Sequence, residues 1–167
     1  MHGFPNACIS LGLIDQREPV LGVIYNPFLE HLYTGVRGGG SHLHSRAHPE
    51  PQRLPLAPAR PLPGLAGALI AVEWGSDRAQ DPIRRKADSF ARLAGAPPHG
   101  VMAHSLRSVG SAALNFALVA QGALDMYWCV VPSAAPPLVF LATEFVGARI
   151  GRSDAGAYAS SLPPACV

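Results

Sequence analysis

Between residues 7 and 36 the chain offers three short apolar runs with very little separating them. ACISLGLI (7–14), VLGVIY (20–25) and LEHLYTGV (29–36) are rich in branched and aromatic residues, the composition of strands. The connections are DQREP, with Pro19 at its exit, and a turn opened by Asn26-Pro27. Connections this short join antiparallel neighbours, because a parallel crossover needs about a dozen residues or more. The spacing predicts an antiparallel meander within residues 1–44. Gly38-Gly39-Gly40 ends its third strand with a turn open to any backbone geometry.

Residues 45–64 hold six prolines among scattered polar residues. Proline removes a backbone donor and fixes φ, so this stretch is expected to be a connecting loop. From Leu65 the pattern changes. LAGALIAVEWG (65–75) reads as a strand, followed by a helix over 76–93 with Ser76 or Asp77 as N-cap and Gly95 and Pro97-Pro98 as its stop. MAHSLRSVG is a further strand, Ser111 to Ala120 a second helix ended by Gly122, and ALDMYW a last strand. Alternating strands and helices define an α/β fold over 65–128, a sheet with crossover helices. Residues 129–167 depart from that pattern. PLVFLATEFVGARIG fits one short helix or two short strands equally, and the last dozen residues, small and polar, are expected to be disordered.

Composition narrows the class. At 167 residues one domain can bury roughly 70% of its unfolded surface. Apolar residues make up 49% and charged residues 14%, which excludes disorder for most of the chain. A net charge of +2 with dispersed basic residues gives no footprint for nucleic acid, and the run Arg84-Arg85-Lys86 reads as a solvated helix face. Cys8, Cys129 and Cys166 are odd in number and lack CxxC spacing, which favours reduced thiols and a cytoplasmic setting. No apolar run reaches the ~18–20 residues a membrane span needs.

Two constellations could carry chemistry. His42, His44 and His48 form HxHxxxH, but a Gly-rich and Pro-rich context fixes no ring geometry, so a solvated loop is the expectation. In LRSVGSAALNFALVAQGALDMYW, a strand ends at Val109, Gly110 turns the chain, and Ser111-Ala112-Ala113 open a helix. The first amides of a helix lack internal acceptors and carry the positive end of its dipole, so they can bind substrate oxygens. The same small residues also suit close helix packing. Among the acids, Asp15, Glu18 and Glu30 fall at turns, Asp77, Asp81 and Asp88 on the first helix, and Asp125 at a strand start. No two are placed to share a cation. Glu73, at a strand end, comes nearest, and a structural role is the expectation for it.

HGFPNACISLGLI, GVIYNPFLEHLYTGVRGGGS, VEWGSDR and RSVGSAALNFALVAQGALDMYW follow one another in order. Together, over residues 2 to about 128, they resemble the inositol monophosphatase family, and EWGSDR is most similar to its fungal members. The resemblance implies a layered αβαβα sandwich, here a partial one lacking the N-terminal helices. It implies Mg²⁺-dependent hydrolysis of inositol monophosphate or a similar polyol phosphate, and a homodimer. In such enzymes carboxylates hold two or three Mg²⁺ ions that polarise the ester and activate water. Gly110, Ser111 and Ala112 match the family's Gly-Thr-Ala turn, whose backbone contacts inositol hydroxyls, with Ser in place of Thr.

The resemblance also sets a second expectation. The family's Asp-rich metal and phosphate motif stands just before the segment matching residues 2–5, its early Glu lies further upstream, and its Trp-Asp pair lies beyond residue 128. Trp74 and Trp128 are followed by Gly75 and Cys129, and residues 129–150 contain no Asp. This chain is therefore expected to start after the motif, to supply no metal ligand or catalytic residue, and to be inactive alone. One face of its first sheet is expected to lie uncovered. Two other readings stand beside the enzymatic one: a non-catalytic partner of a full-length family member, and a fragment whose start and reading frame are misassigned.

Overall fold

The computed structural model describes residues 3–58, 61–62 and 64–128; the expectations for residues 129–167 lie outside them. The first half is an antiparallel sheet of five strands in sequence order. They are β1 (Ile9–Asp15), β2 (Glu18–Asn26), β3 (His31–Val36), β4 (Gly40–Ser45) and β5 (His48–Arg53). The expected meander is therefore two strands longer than its apolar runs indicate. Residues 48–53, expected within a loop, form β5, which pairs His42 with Arg53 and Leu43 with Gln52. HPEPQR carries two prolines, and proline is accepted at a sheet edge, where the missing donor faces no neighbour. β4 (GSHLHS) has one large apolar residue, which left no hydrophobic alternation to read.

The second half is a three-stranded parallel sheet in the order β7-β6-β8. Its strands are β6 (Leu69–Val72), β7 (Ser105–Arg107) and β8 (Met126–Trp128), with helix α1 (Gln80–Ala94) and helix α2 (Ala112–Gln121) as the crossovers. β7 is shorter than the run MAHSLRSVG because the residues before it serve the helix end. The amides of Val101, Met102 and Ala103 donate to the carbonyls of Arg92, Gly95 and Leu93, which have no acceptor role inside the helix. α1 starts after Ala79, not at Ser76 or Asp77, and its N-cap has no side-chain bond. Asp77 Oδ1 instead accepts from the Ala79 amide at 3.0 Å, which uses the expected cap in a turn before the helix.

α2 is apolar around its whole circumference, as a helix buried on two sides must be. One side, Ala113, Leu114, Ala117 and Ala120, packs on Ile24, Tyr33 and Leu43 of the first sheet. Those three residues form a row across β2, β3 and β4, each opposite the next. The other side sets Val119 against Ala71 and Leu124, and Phe116 edge-on to Tyr127 at 5.0 Å between ring centres. On the far face of the second sheet, Ile70, Val72 and Trp128 pack with Leu93 of α1. The order of layers is sheet, α2, sheet, α1. Arg84 and Arg85 are exposed, as a solvated face requires, but Lys86 is buried, with Nζ donating to the Trp74 carbonyl.

On β1 and β2 the face of the first sheet turned away from α2 is apolar. Ile9, Leu11 and Leu13 of β1 lie opposite Tyr25, Val23 and Leu21, and all three are more than half exposed.

Candidate functional site

Parallel strands put their carboxyl ends on one edge, and open α/β sheets bind ligands there. Here that edge gathers Glu73 and Trp74 after β6, residues 108–111 after β7, and Trp128 at the end of β8. A shallow cleft on this edge is lined by Val72, Glu73, Trp74, Lys86, Phe90 and Trp128. A second depression, lined by Gly67, Leu69, His104, Gly122, Ala123 and Asp125, lies where the same strands begin.

The Gly110–Ser111–Ala112 turn leads directly into α2. Gly110 has φ of +88°, in the left-handed region that glycine enters without strain. Ser111 caps α2: its Oγ accepts from the Leu114 amide at 3.3 Å, while its carbonyl accepts from Asn115 N. At the other end Gly122, at φ +84°, donates to the Leu118 and Val119 carbonyls. The amides of Ala112 and Ala113 belong to the first turn and have no intrahelical acceptor.

Three side chains from outside the turn, Glu73, Asn6 and Cys8, hold it, and Asn115 of α2 braces the first of them. Glu73 Oε1 accepts from the amides of Val109 at 2.9 Å and Gly110 at 2.8 Å, and from Asn115 Nδ2 at 2.9 Å. Its Oε2 accepts from Ser108 Oγ at 3.2 Å. From the first sheet's side, Asn6 Nδ2 donates to the Val109 carbonyl and Cys8 Sγ lies 3.6 Å from Ser111 Oγ. Asn115 is fully buried, and its Oδ1 has no partner among the described residues. The Gly110 amide is thus already engaged, so the turn offers a ligand the space beside Gly110 and the amides that begin α2.

The sequence singled out the turn but not its supports. Asn6 and Cys8 lie 103 residues from the groups they meet, and Glu73 lies 35–42 away, so no local pattern links them. Asn115 was the one available signal, an amide in the middle of the apolar run AALNFALVAQ, whose other amide, Gln121, stands at the helix end.

The other candidates are dispersed. His42 and His44 lie on β4, not in a loop, and share the face turned away from α2, where His44 Nε2 is 3.3 Å from Thr34 Oγ1. His48 belongs to β5. Glu18 pairs with Arg37 at 2.6 Å and Glu30 with Arg46 at 3.5 Å, both exposed. Asp125 Oδ2 accepts from the Leu69 amide at 2.8 Å and joins β8 to β6. Among the described residues no group of three or more His, Cys, Asp or Glu is placed to hold a metal ion. Glu73 meets four donors, the surroundings of a structural carboxylate and not of a cation ligand. The described residues therefore do not fit the Mg²⁺ ions that the resemblance implies. Among the titratable groups Tyr33 stands out: burial pushes its hydroxyl up to about 12, and it donates to Gln121 Oε1 at 3.0 Å.

Two sheets packed on opposite sides of α2 define a layered α/β fold. Residues 1–132 match the model of the inositol monophosphatase family, and the chain belongs to that family. A quinic acid degradation cluster protein of Neurospora crassa is 39% identical over 136 residues, which cover 76% of this chain and 38% of the relative. Inositol monophosphatase 2 of Saccharomyces cerevisiae is 38% identical, covering 77% and 41%. The chain thus spans about two fifths of the length of these curated relatives. Among solved structures, the inositol monophosphatase of Anabaena superposes with a TM-score of 0.65 at 27% identity, covering 90% of this chain and 52% of that one. Mycobacterium tuberculosis SuhB shares the fold with a TM-score of 0.71 at 23% identity, covering 90% and 54%.

Proposed function

We propose that the protein recognises the polyol of a phosphate monoester, inositol monophosphate or a close analogue, through the Gly110–Ser111–Ala112 turn. The reaction proposed for the whole protein is hydrolysis of that ester to the free polyol and phosphate. The observation that carries the reading is the turn itself: a glycine-opened, side-chain-braced helix start at the carboxyl edge of a parallel sheet, in an inositol monophosphatase family chain. Backbone amides at a helix start suit hydroxyl and phosphate oxygens, and Gly110 has no side chain to keep them away.

In this reading residues 3–128 supply the polyol side of the site. The metal-dependent chemistry is assigned to carboxylates outside the described residues, and the 167-residue chain by itself is proposed to bind without turnover. Supporting that division, no metal-holding cluster exists among the described residues. The decisive measurement is phosphate release from inositol 1-phosphate with millimolar-range Mg²⁺. Background-level release is expected, and chelator-sensitive turnover by the chain would overturn the division. The same observation favours a second reading, a non-catalytic partner of a longer family member. Co-purification with such a member as a defined complex would select it. Homodimerisation and a cytoplasmic location are part of the proposal; no described helix is long and apolar enough to cross a membrane.

A further inference from the structure

We propose that Glu73 is the positioning residue of the polyol-binding turn, setting which backbone amides face solvent; this rests on the polyol reading above. Its carboxylate lies at the end of β6, and one oxygen, Oε1, collects two consecutive amides, Val109 and Gly110, and the side chain of Asn115. Successive amides converging on one point form an anion nest, and here the protein fills the nest with its own carboxylate. Two consequences follow. The Val109 and Gly110 amides are withdrawn from any ligand, which leaves the start of α2 as the donor set. In addition, the left-handed Gly110 is held by a charge-assisted contact, which is stronger than a neutral hydrogen bond.

The supports around Glu73 favour one geometry. Asn115 is fully buried in α2, so its amide ties the helix start to the carboxylate and fixes the distance between turn and sheet. Lys86 Nζ donates to the Trp74 carbonyl, which steadies the residue next to Glu73. Asn6 holds the Val109 carbonyl from the opposite side. The turn is therefore gripped between the two sheets, with Glu73 as the only carboxylate on it among the described residues. Glu73 does not touch the ligand; it acts through the backbone it holds.

Amide-resolved NMR on the full chain tests this with two variants, Glu73→Ala and Glu73→Gln, and myo-inositol 1-phosphate as the probe. In the parent chain, slow hydrogen exchange is expected at Val109 and Gly110, with probe-induced shifts at Ser111 and Ala112. Glu73→Ala is expected to speed exchange at Val109 and Gly110 by about tenfold or more, as loss of bonds to a charged acceptor implies. The probe's affinity should fall with it, while exchange at Ile70 and Ala117 stays within about twofold. Glu73→Gln keeps an acceptor oxygen in place and should recover most of the protection and affinity. Unchanged exchange at Val109 and Gly110 in Glu73→Ala, or unchanged affinity with a disordered turn, overturns the role of Glu73. If Glu73→Ala does not fold, Glu73→Gln decides: a neutral acceptor should speed exchange at Val109 and Gly110 measurably but by less than about tenfold, and exchange and affinity identical to the parent overturn the charge-assisted grip. Absence of any shift at Ser111 and Ala112 in the parent chain overturns the polyol reading instead, and the exchange data still judge the grip on the turn.

Discussion

The central strand of the parallel sheet and the first strand of the antiparallel sheet treat similar residues in opposite ways. In β6, Ile70 and Ala71 are fully buried, one facing α1 and the other facing α2. In β1, Ile9, Leu11 and Leu13 stand on the side away from α2 and are 56–60% exposed, while the side toward the helix carries Ser10 and Gly12. A parallel strand is covered on both faces by its own crossover helices, so its sequence is a continuous apolar run. An antiparallel meander makes no crossover helix and can bury one face only from what other segments bring. Burial here follows from connection type, not from side-chain hydrophobicity.

Large-to-small substitutions should expose this difference. Ile70→Ala removes a fully buried side chain between α1 and β6 and should cost about 2–5 kcal/mol, read from chemical denaturation. A cost below about 1 kcal/mol would mean that the two-sided burial of β6 is not rigid in solution. An intermediate effect is expected from Tyr33, which is on the buried side of the antiparallel sheet. Its hydroxyl ionises near 10 in an unfolded chain and near 12 here, because burial disfavours the charged form. The unfolded state therefore loses its proton first. Stability from this group is fully present below pH 10 and falls between pH 10 and 12, by about 2 kcal/mol. Tyr33→Phe should flatten that alkaline decline in a pH series of melts, and an unchanged decline would assign it elsewhere. The smallest effect is expected from Leu11→Ala, within about 0.5 kcal/mol, since Leu11 is 60% exposed. A cost comparable to that of Ile70→Ala would show that the outer face is covered in solution.

How far the sequence could be read depended on how local each interaction is. The strands β1 to β3 were legible because branched residues alternate there at the strand period, and both helices were legible from their stops at Gly95 and Gly122. β5 was not, because its two prolines signal a loop everywhere except at a sheet edge, and edge position is a property of the finished sheet. The reading of Lys86 failed for a related reason. Within Arg84-Arg85-Lys86 only the helical angle separates the residues, and the third one turns toward the Trp74 carbonyl.

The site divides in the same way. From its residues and its resemblance, the sequence by itself determined the family, the α/β class and the Gly110–Ser111–Ala112 turn, because a glycine turn and a serine cap are encoded within a few neighbouring positions. Only the tertiary structure decided what holds that turn. Glu73 reaches it from the end of β6, Asn6 and Cys8 reach it from ahead of β1, and Asn115 meets Glu73 from inside α2. These partners are distant in the chain, and each could have served another role. Two sheets packed on opposite sides of one helix bring them within hydrogen-bond range, and such range is set by packing and not by sequence spacing.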